Sequence, residues 1–173
     1  TSGGLVHIGV IGSATITASQ AGNQNYLAAT PVQQTQTVVA ATPVSIFANT
    51  ITDANPSATN PFTAGQTFNP NITVNGISRG TGITASSASN RFSASDWTLN
   101  ASPDANDYFE FSLTPNVGYK IDFSSLVFSH QRSTQGPATY VLKSSADNYT
   151  ASLGSGSTPT SAGTVTLPLA LTN

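Results

Sequence analysis

Between Pro103 and Tyr108 the chain reads Asp-Ala-Asn-Asp, so Asp104, Asn106 and Asp107 place three oxygen side chains in one turn leading into a strand. Hard cations such as Ca²⁺ take oxygen ligands of this kind, which makes the turn a candidate calcium site. The competing reading is an Asx turn, in which the same side chains bond their own backbone. No bidentate Glu follows at the offset of an EF-hand loop, and that favours the turn. Asp147-Asn148 is a weaker instance of the same pattern.

Other candidate chemistries lack partners. Glu110 is the chain's one Glu, and alternation puts it on the face opposite Phe109, Phe111 and Leu113, which are expected to face the core. Paired-acid hydrolysis needs a second carboxylate tied to it by position, and there is none. A cross-strand ion pair with Arg132 or Lys143 is expected instead, contributing about 0.2–1 kcal/mol if exposed. His130 follows Leu126 and Phe128 at period two, with Arg132 continuing the series, as in a strand whose polar end leaves the core. A zinc site needs more than His130 and the distant His7. Ser129 points away from His130 on the same strand and no Gly-x-Ser-x-Gly occurs, so nothing supports nucleophilic catalysis. Aromatic rings can stack on sugars, and the candidates are Trp97, Tyr108, Tyr119, Tyr140 and Tyr149. Trp97 shares its side with Leu99 and is expected to be buried, whereas Tyr119 and Tyr149 lie at turns. With Arg132 they form the candidate contact surface for a glycan or partner.

Composition narrows the classes further. The 173 residues are 38% hydrophobic and 7% charged, with a net charge of -2. A core can be buried, and no basic block exists to neutralise a phosphate backbone, so nucleic acid is not expected as a partner. No apolar run approaches the length that spans a bilayer. Zero Cys removes disulfides and thiolate sites together, which in a Ser/Thr/Asn-rich β protein suits an extracellular or cell-surface bacterial setting. No cofactor is implied, calcium apart. Asn71 and Asn148 begin Asn-x-Thr acceptor patterns, attributed here to an Asn/Thr-rich composition.

The elements that position these residues are read from period-two alternation. "HIGVIG" and "ATITAS" are expected to form a hairpin turning at Gly12-Ser13, followed by a Gly22-Asn23 turn and a closing strand, "VQQTQTVV". "GSATITASQAGNQNY", "AAT" and "VQQTQTVV" together resemble the C-terminal end of the Ig-like repeats of large bacterial surface proteins, over Leu5 to about Val39. That resemblance implies further strands before Thr1, from the same chain or from elsewhere. "AATPVS", residues 40–45, is the expected linker.

Beyond it, three Asn-Pro steps between residues 55 and 71 exclude a helix. Asn75-Gly76 is the strongest hairpin signal, expected to separate two strands in "ITVNGISRGTGI". "DWTLN", "DYFEFSLTP", "SSLVFSHQR" and "ATYVLKSS" are expected strands, and "GTVTLPLAL" suits an edge or bulge because of Pro168. Phe109–Leu113, Gly118-Tyr119, Ser124–Phe128, Arg132-Ser133, Gly136-Pro137 and Ser144–Tyr149 are similar to a β-sandwich module of large secreted proteins of cyanobacteria and Bacteroidetes-type bacteria. The resemblance implies surface, matrix or adhesive roles, no enzymatic activity, and further strands after "VTLPLALTN".

The sequence thus predicts an all-β chain. An antiparallel, jelly-roll-like β-sandwich over 46–173 is preceded by a partial Ig-like β unit over 1–39. Its expected role is that of a non-enzymatic structural module of a surface fibre, sheath or adhesin, contacting other copies of itself or adjoining domains. The alternative is a carbohydrate-binding module whose partners are cell-surface glycans.

Overall fold

The computed structural model describes residues 10–100 and 102–172. The expected strand at Ile8, His7 and the start of the Ig-like resemblance at Leu5 lie outside them. The fold is all-β, antiparallel and sandwich-like, and its only helical pieces among the described residues are 3₁₀ turns at Pro56–Ala58 and Ser145–Asp147. The chain divides into two compact units, Thr1–Val44 and Ser45–Asn173.

Among the described residues the first unit forms one hairpin of β1 (Gly12–Gln20) and β2 (Ala29–Val38). Gly12-Ser13 does not turn the chain: it opens β1, with Gly12 opposite Val38 and Ser13 opposite Thr37. The turn instead lies at Asn23–Tyr26, where Asn23 Oδ1 accepts from the N–H groups of Asn25 (2.9 Å) and Tyr26 (3.1 Å). This Asx geometry closes the loop with a bond inside it. Cross-strand pairs share a face, so Ser13, Thr15, Thr17, Gln33, Thr35 and Thr37 form a polar side, and Ala14, Ile16, Ala18 and Val32 share the other with Gln34 and Gln36. All nine residues of β1 are exposed among the described residues.

The second unit is assembled from antiparallel pairs. β3 (Phe47–Asn49) pairs with β4 (Gln66–Phe68), β5 (Ile72–Arg79) with β8 (Phe109–Pro115), and β6 (Thr84–Ala85) with β7 (Ala94–Ser95). β9 (Asp122–His130) pairs with β12 (Gly163–Thr172), and β10 (Thr139–Leu142) with β11 (Gly154–Ser157). Ring packing connects the pairs. Phe47 stacks on Phe111, while Phe62, Phe92, Phe109 and Trp97 form a run of edge and tilted contacts at 5.2–6.5 Å. Tyr140 of β10 meets Phe128 of β9 edge-on at 5.3 Å. The ring passes over Gly156, where a Cβ would come within 2.9 Å of Tyr140 Oη.

Full burial is concentrated in Phe62, Ile72, Ile83 and Ile121, with Pro56 and Ser57 beside them. Phe109 (42% exposed) and Phe111 (38%) are therefore not the core face expected of them; they take part through ring contacts and keep one side open. Ser57 is a buried polar group with its bonds made: its Oγ accepts from Ser93 N–H at 2.7 Å, and its carbonyl accepts from Arg79 Nη2 at 3.0 Å. The same guanidinium lies 4.8 Å above the Phe92 ring.

Two expected elements differ. Asn75-Gly76 is no hairpin turn: β5 runs through it, and the register against β8 slips between Asn75 and Ser78. There Phe62 and Ile77 exchange backbone hydrogen bonds at 2.8 and 3.0 Å, and a Cβ on Gly76 would overlap the Phe62 carbonyl. The glycine admits a neighbouring backbone, the other use of glycine inside a strand. "DWTLN" is not a strand, because Asp96 takes a left-handed φ of 64° and Trp97 Nε1 turns back to donate to Ala94 O at 3.0 Å. Trp97 is half-buried, but Leu99 is 64% exposed and does not follow it inward. "GTVTLPLAL" is the expected strand, with its bulge just after Pro168, where the missing N–H is tolerated.

Candidate functional site

In the acidic turn at Asp104, one oxygen of Asp104 and one of Asp107 accept backbone N–H groups. Asp104 Oδ1 accepts from Asn106 N–H at 2.8 Å, and Asp107 Oδ2 accepts from Thr98 N–H at 2.5 Å. Asn106 contributes its backbone carbonyl to Gly82 N–H at 3.0 Å. This is Asx-turn geometry, fastening the loop before β8 to the 80–82 and 97–98 segments. Among the described residues no three His, Cys, Asp or Glu gather as a metal cluster.

Arg132 acts as a clamp. Its Nε donates to Thr158 O (3.0 Å), Nη1 donates to Ser133 O (3.2 Å) and Thr134 O (2.9 Å), and its backbone N–H reaches Pro159 O (2.8 Å). The half-buried guanidinium thus ties the loop after β9 to the segment between β11 and β12. Three of its five donors are satisfied by carbonyls, which makes it a positioning group for the loop. Glu110 accepts from Ser78 Oγ at 3.2 Å, not from Arg132 or Lys143, because β8 pairs with β5 and not with β9 or β10, which those cations follow. His130 lies with Phe128 and Tyr140 at centroid distances of 5.0 Å, its Nε2 3.3 Å from Ser157 O.

Tyr119 is 55% exposed and closes the turn after β8, its N–H donating to Asn116 O at 3.0 Å. Asn116 fixes that turn to the start of β5: its N–H donates to Asn71 O (2.9 Å), its Nδ2 to Pro70 O (3.1 Å), and its Oδ1 accepts from Thr73 Oγ1 (3.1 Å). Beside Tyr119 opens a depression of about 170 Å³, lined also by Ile46, Asn69, Asn71, Ile72, Lys120, Ile121 and Asp122. Its buried floor is Ile72 and Ile121, and its rim carries the Lys120–Asp122 ion pair at 2.8 Å. An apolar floor, an aromatic lip and polar groups on the rim can hold the C–H face of one sugar ring and bond its hydroxyls. Asn69, Asn71 and Lys120 are absent from the contact residues expected from sequence; the Asn-Pro-Asn turn signal at 69–71 located the two asparagines without showing what they would face.

Tyr149 is 52% exposed, with a left-handed φ of 58°, and does not line the depression; its N–H donates to Ser144 O at 2.9 Å. In the same loop Ala151 N–H donates to Asp147 Oδ2 at 2.8 Å. That bond, followed by those from Thr150, holds the exposed Asp147 carboxyl below its ordinary value. Comparison with protein-family models, curated proteins and solved structures finds no match to this chain.

Proposed function

We propose that the chain is a non-enzymatic structural module of a bacterial surface fibre, sheath or adhesin, acting outside the cell through contacts with copies of itself or with adjoining domains. The observation that carries this reading is the hairpin, uncovered among the described residues: every residue of β1 is exposed, and Ile16 and Val32 on one face stand 42% and 68% open. A two-stranded hairpin alone is marginal in water, and open strand edges invite another strand. Function then resides in what covers the hairpin. The test is sedimentation velocity of the whole chain over a wide concentration range. Reversible association that strengthens with concentration is expected; a chain that stays monomeric throughout overturns the reading.

The Tyr119 depression favours a second reading, that of a carbohydrate-binding module. Binding on a glycan array that is lost in Tyr119→Ala and kept in Tyr149→Ala would support it. An array without signal would end it.

A further inference from the structure

The reading of the chain as a module that works through its hairpin leaves open which edge pairs, and with what. β1 contains the run Ser13-Ala14-Thr15-Ile16-Thr17-Ala18-Ser19, which reads the same in both directions about Ile16. An antiparallel neighbour runs in the reverse direction, so this strand is its own complement. We propose that β1 pairs with β1 of a second copy about a two-fold axis at Ile16, giving a four-stranded sheet in the order β2, β1, β1 of the second copy, β2 of the second copy. The proposal rests on the structural-module reading and adds the interface to it.

Three observations support this edge over its alternatives. First, the register follows from the palindrome. Ile16 meets Ile16 of the second copy, Ala14 meets Ala18, Thr15 meets Thr17 and Ser13 meets Ser19. Because pairing residues share a face, Ala14, Ile16 and Ala18 of the two copies meet on one side of the seam and their Ser and Thr residues on the other. An interface in which the same patch serves both subunits is the arrangement a closed dimer requires. Second, charge does not oppose it. The five Lys and Arg and the seven Asp and Glu all lie between Asp53 and Asp147, so two hairpins meet with no like charges between them. Natural edges are commonly protected by charge or proline, and β1 has neither. Third, the other edge is blunted. Pro31 lies in β2, where the register slips between Ala18 and Gln20, so that strand lacks a donor and departs from regular pairing.

The experiment uses the whole chain in two charged forms, Thr15→Lys with Thr17→Lys, and Thr15→Glu with Thr17→Glu. In each form alone, two pairs of like charges face each other across the axis, and dimerisation should weaken on the order of tenfold. Mixing the two forms places Lys opposite Glu and should restore association, which also shows that both variants still fold. Chemical cross-linking gives an independent readout, since the chain has no Cys of its own. Ile16→Cys should form a covalent dimer under mild oxidation, because paired Cα atoms across an antiparallel seam lie within disulfide reach. Val32→Cys should not, being separated from its counterpart by three strand spacings, about 14 Å. Equal cross-linking at both positions, or a mixture that associates no better than its components, overturns the pairing. Association that persists unchanged in both charged forms overturns the β1 seam and leaves the module reading standing. A chain monomeric at every concentration overturns both.

Discussion

Gly76, Arg132 and Asp147 each have a role fixed by one neighbouring backbone group. Gly76→Ala drives a methyl into the Phe62 carbonyl, which is itself held by its bond to Ile77 and cannot easily move aside. We expect a loss of about 1–3 kcal/mol in denaturant unfolding, the scale of overpacking, with no change in assembly. Arg132→Ala removes three carbonyl contacts of a charged group and should cost about 1.5–3 kcal/mol. Arg132→Lys should recover little, because an ammonium lacks the planar fork that reaches Thr158 and Thr134 together. Asp147 gives a pH effect whose sign follows from its depressed pKa. Its carboxylate bonds stabilise the 144–151 loop fully above the ordinary carboxylate value and are lost as pH falls through the lower folded-state value. An NMR titration should show its carboxyl titrating below 3.8, the ordinary value, with the Ala151 amide shifting at the same midpoint. In Asp147→Asn that pH-dependent shift should disappear.

Alternation made β8, β9 and β12 legible in the sequence, since each keeps its apolar residues at period two against a packed neighbour. It failed where the deciding contact came from a distant segment. Asn75-Gly76 carries the composition of a hairpin turn, but the arrival of the Phe62 backbone converts it to a bulge within β5. β11, Gly-Ser-Gly-Ser, has no apolar pattern at all, and its place opposite β10 depends on Tyr140 and Leu167 filling the space its glycines leave. The Tyr119 depression was half legible for the same reason: the turn could be read, but its proximity to Asn69 and Asn71 is tertiary. The two kinds of element should also differ in exchange. Amides of β1 from Ala14 to Ala18 should exchange rapidly in dilute solution and slow as concentration rises. Val165 and Leu167, paired with Phe128 and Leu126 of β9, should be protected at all concentrations.

Across the whole chain, charge and the uncovered hairpin are segregated. Lys, Arg, Asp and Glu occur only from Asp53 onward, so the proposed contact between hairpins of two copies would contain no ion pair. Its strength should therefore change little between low and high sodium chloride, in contrast to an interface built on ion pairs. Sedimentation in a salt series measures this directly. The segregation extends to the chromophores. The single Trp97 packs edge-on against Phe109 with its indole N–H bonded to Ala94, whereas Tyr26 is the only Trp, Tyr or Phe ahead of Phe47. Tryptophan emission consequently reports the environment of one unit, and tyrosine signal from Tyr26 is the optical handle on the other. A melt followed at the indole alone would leave the hairpin spectroscopically dark.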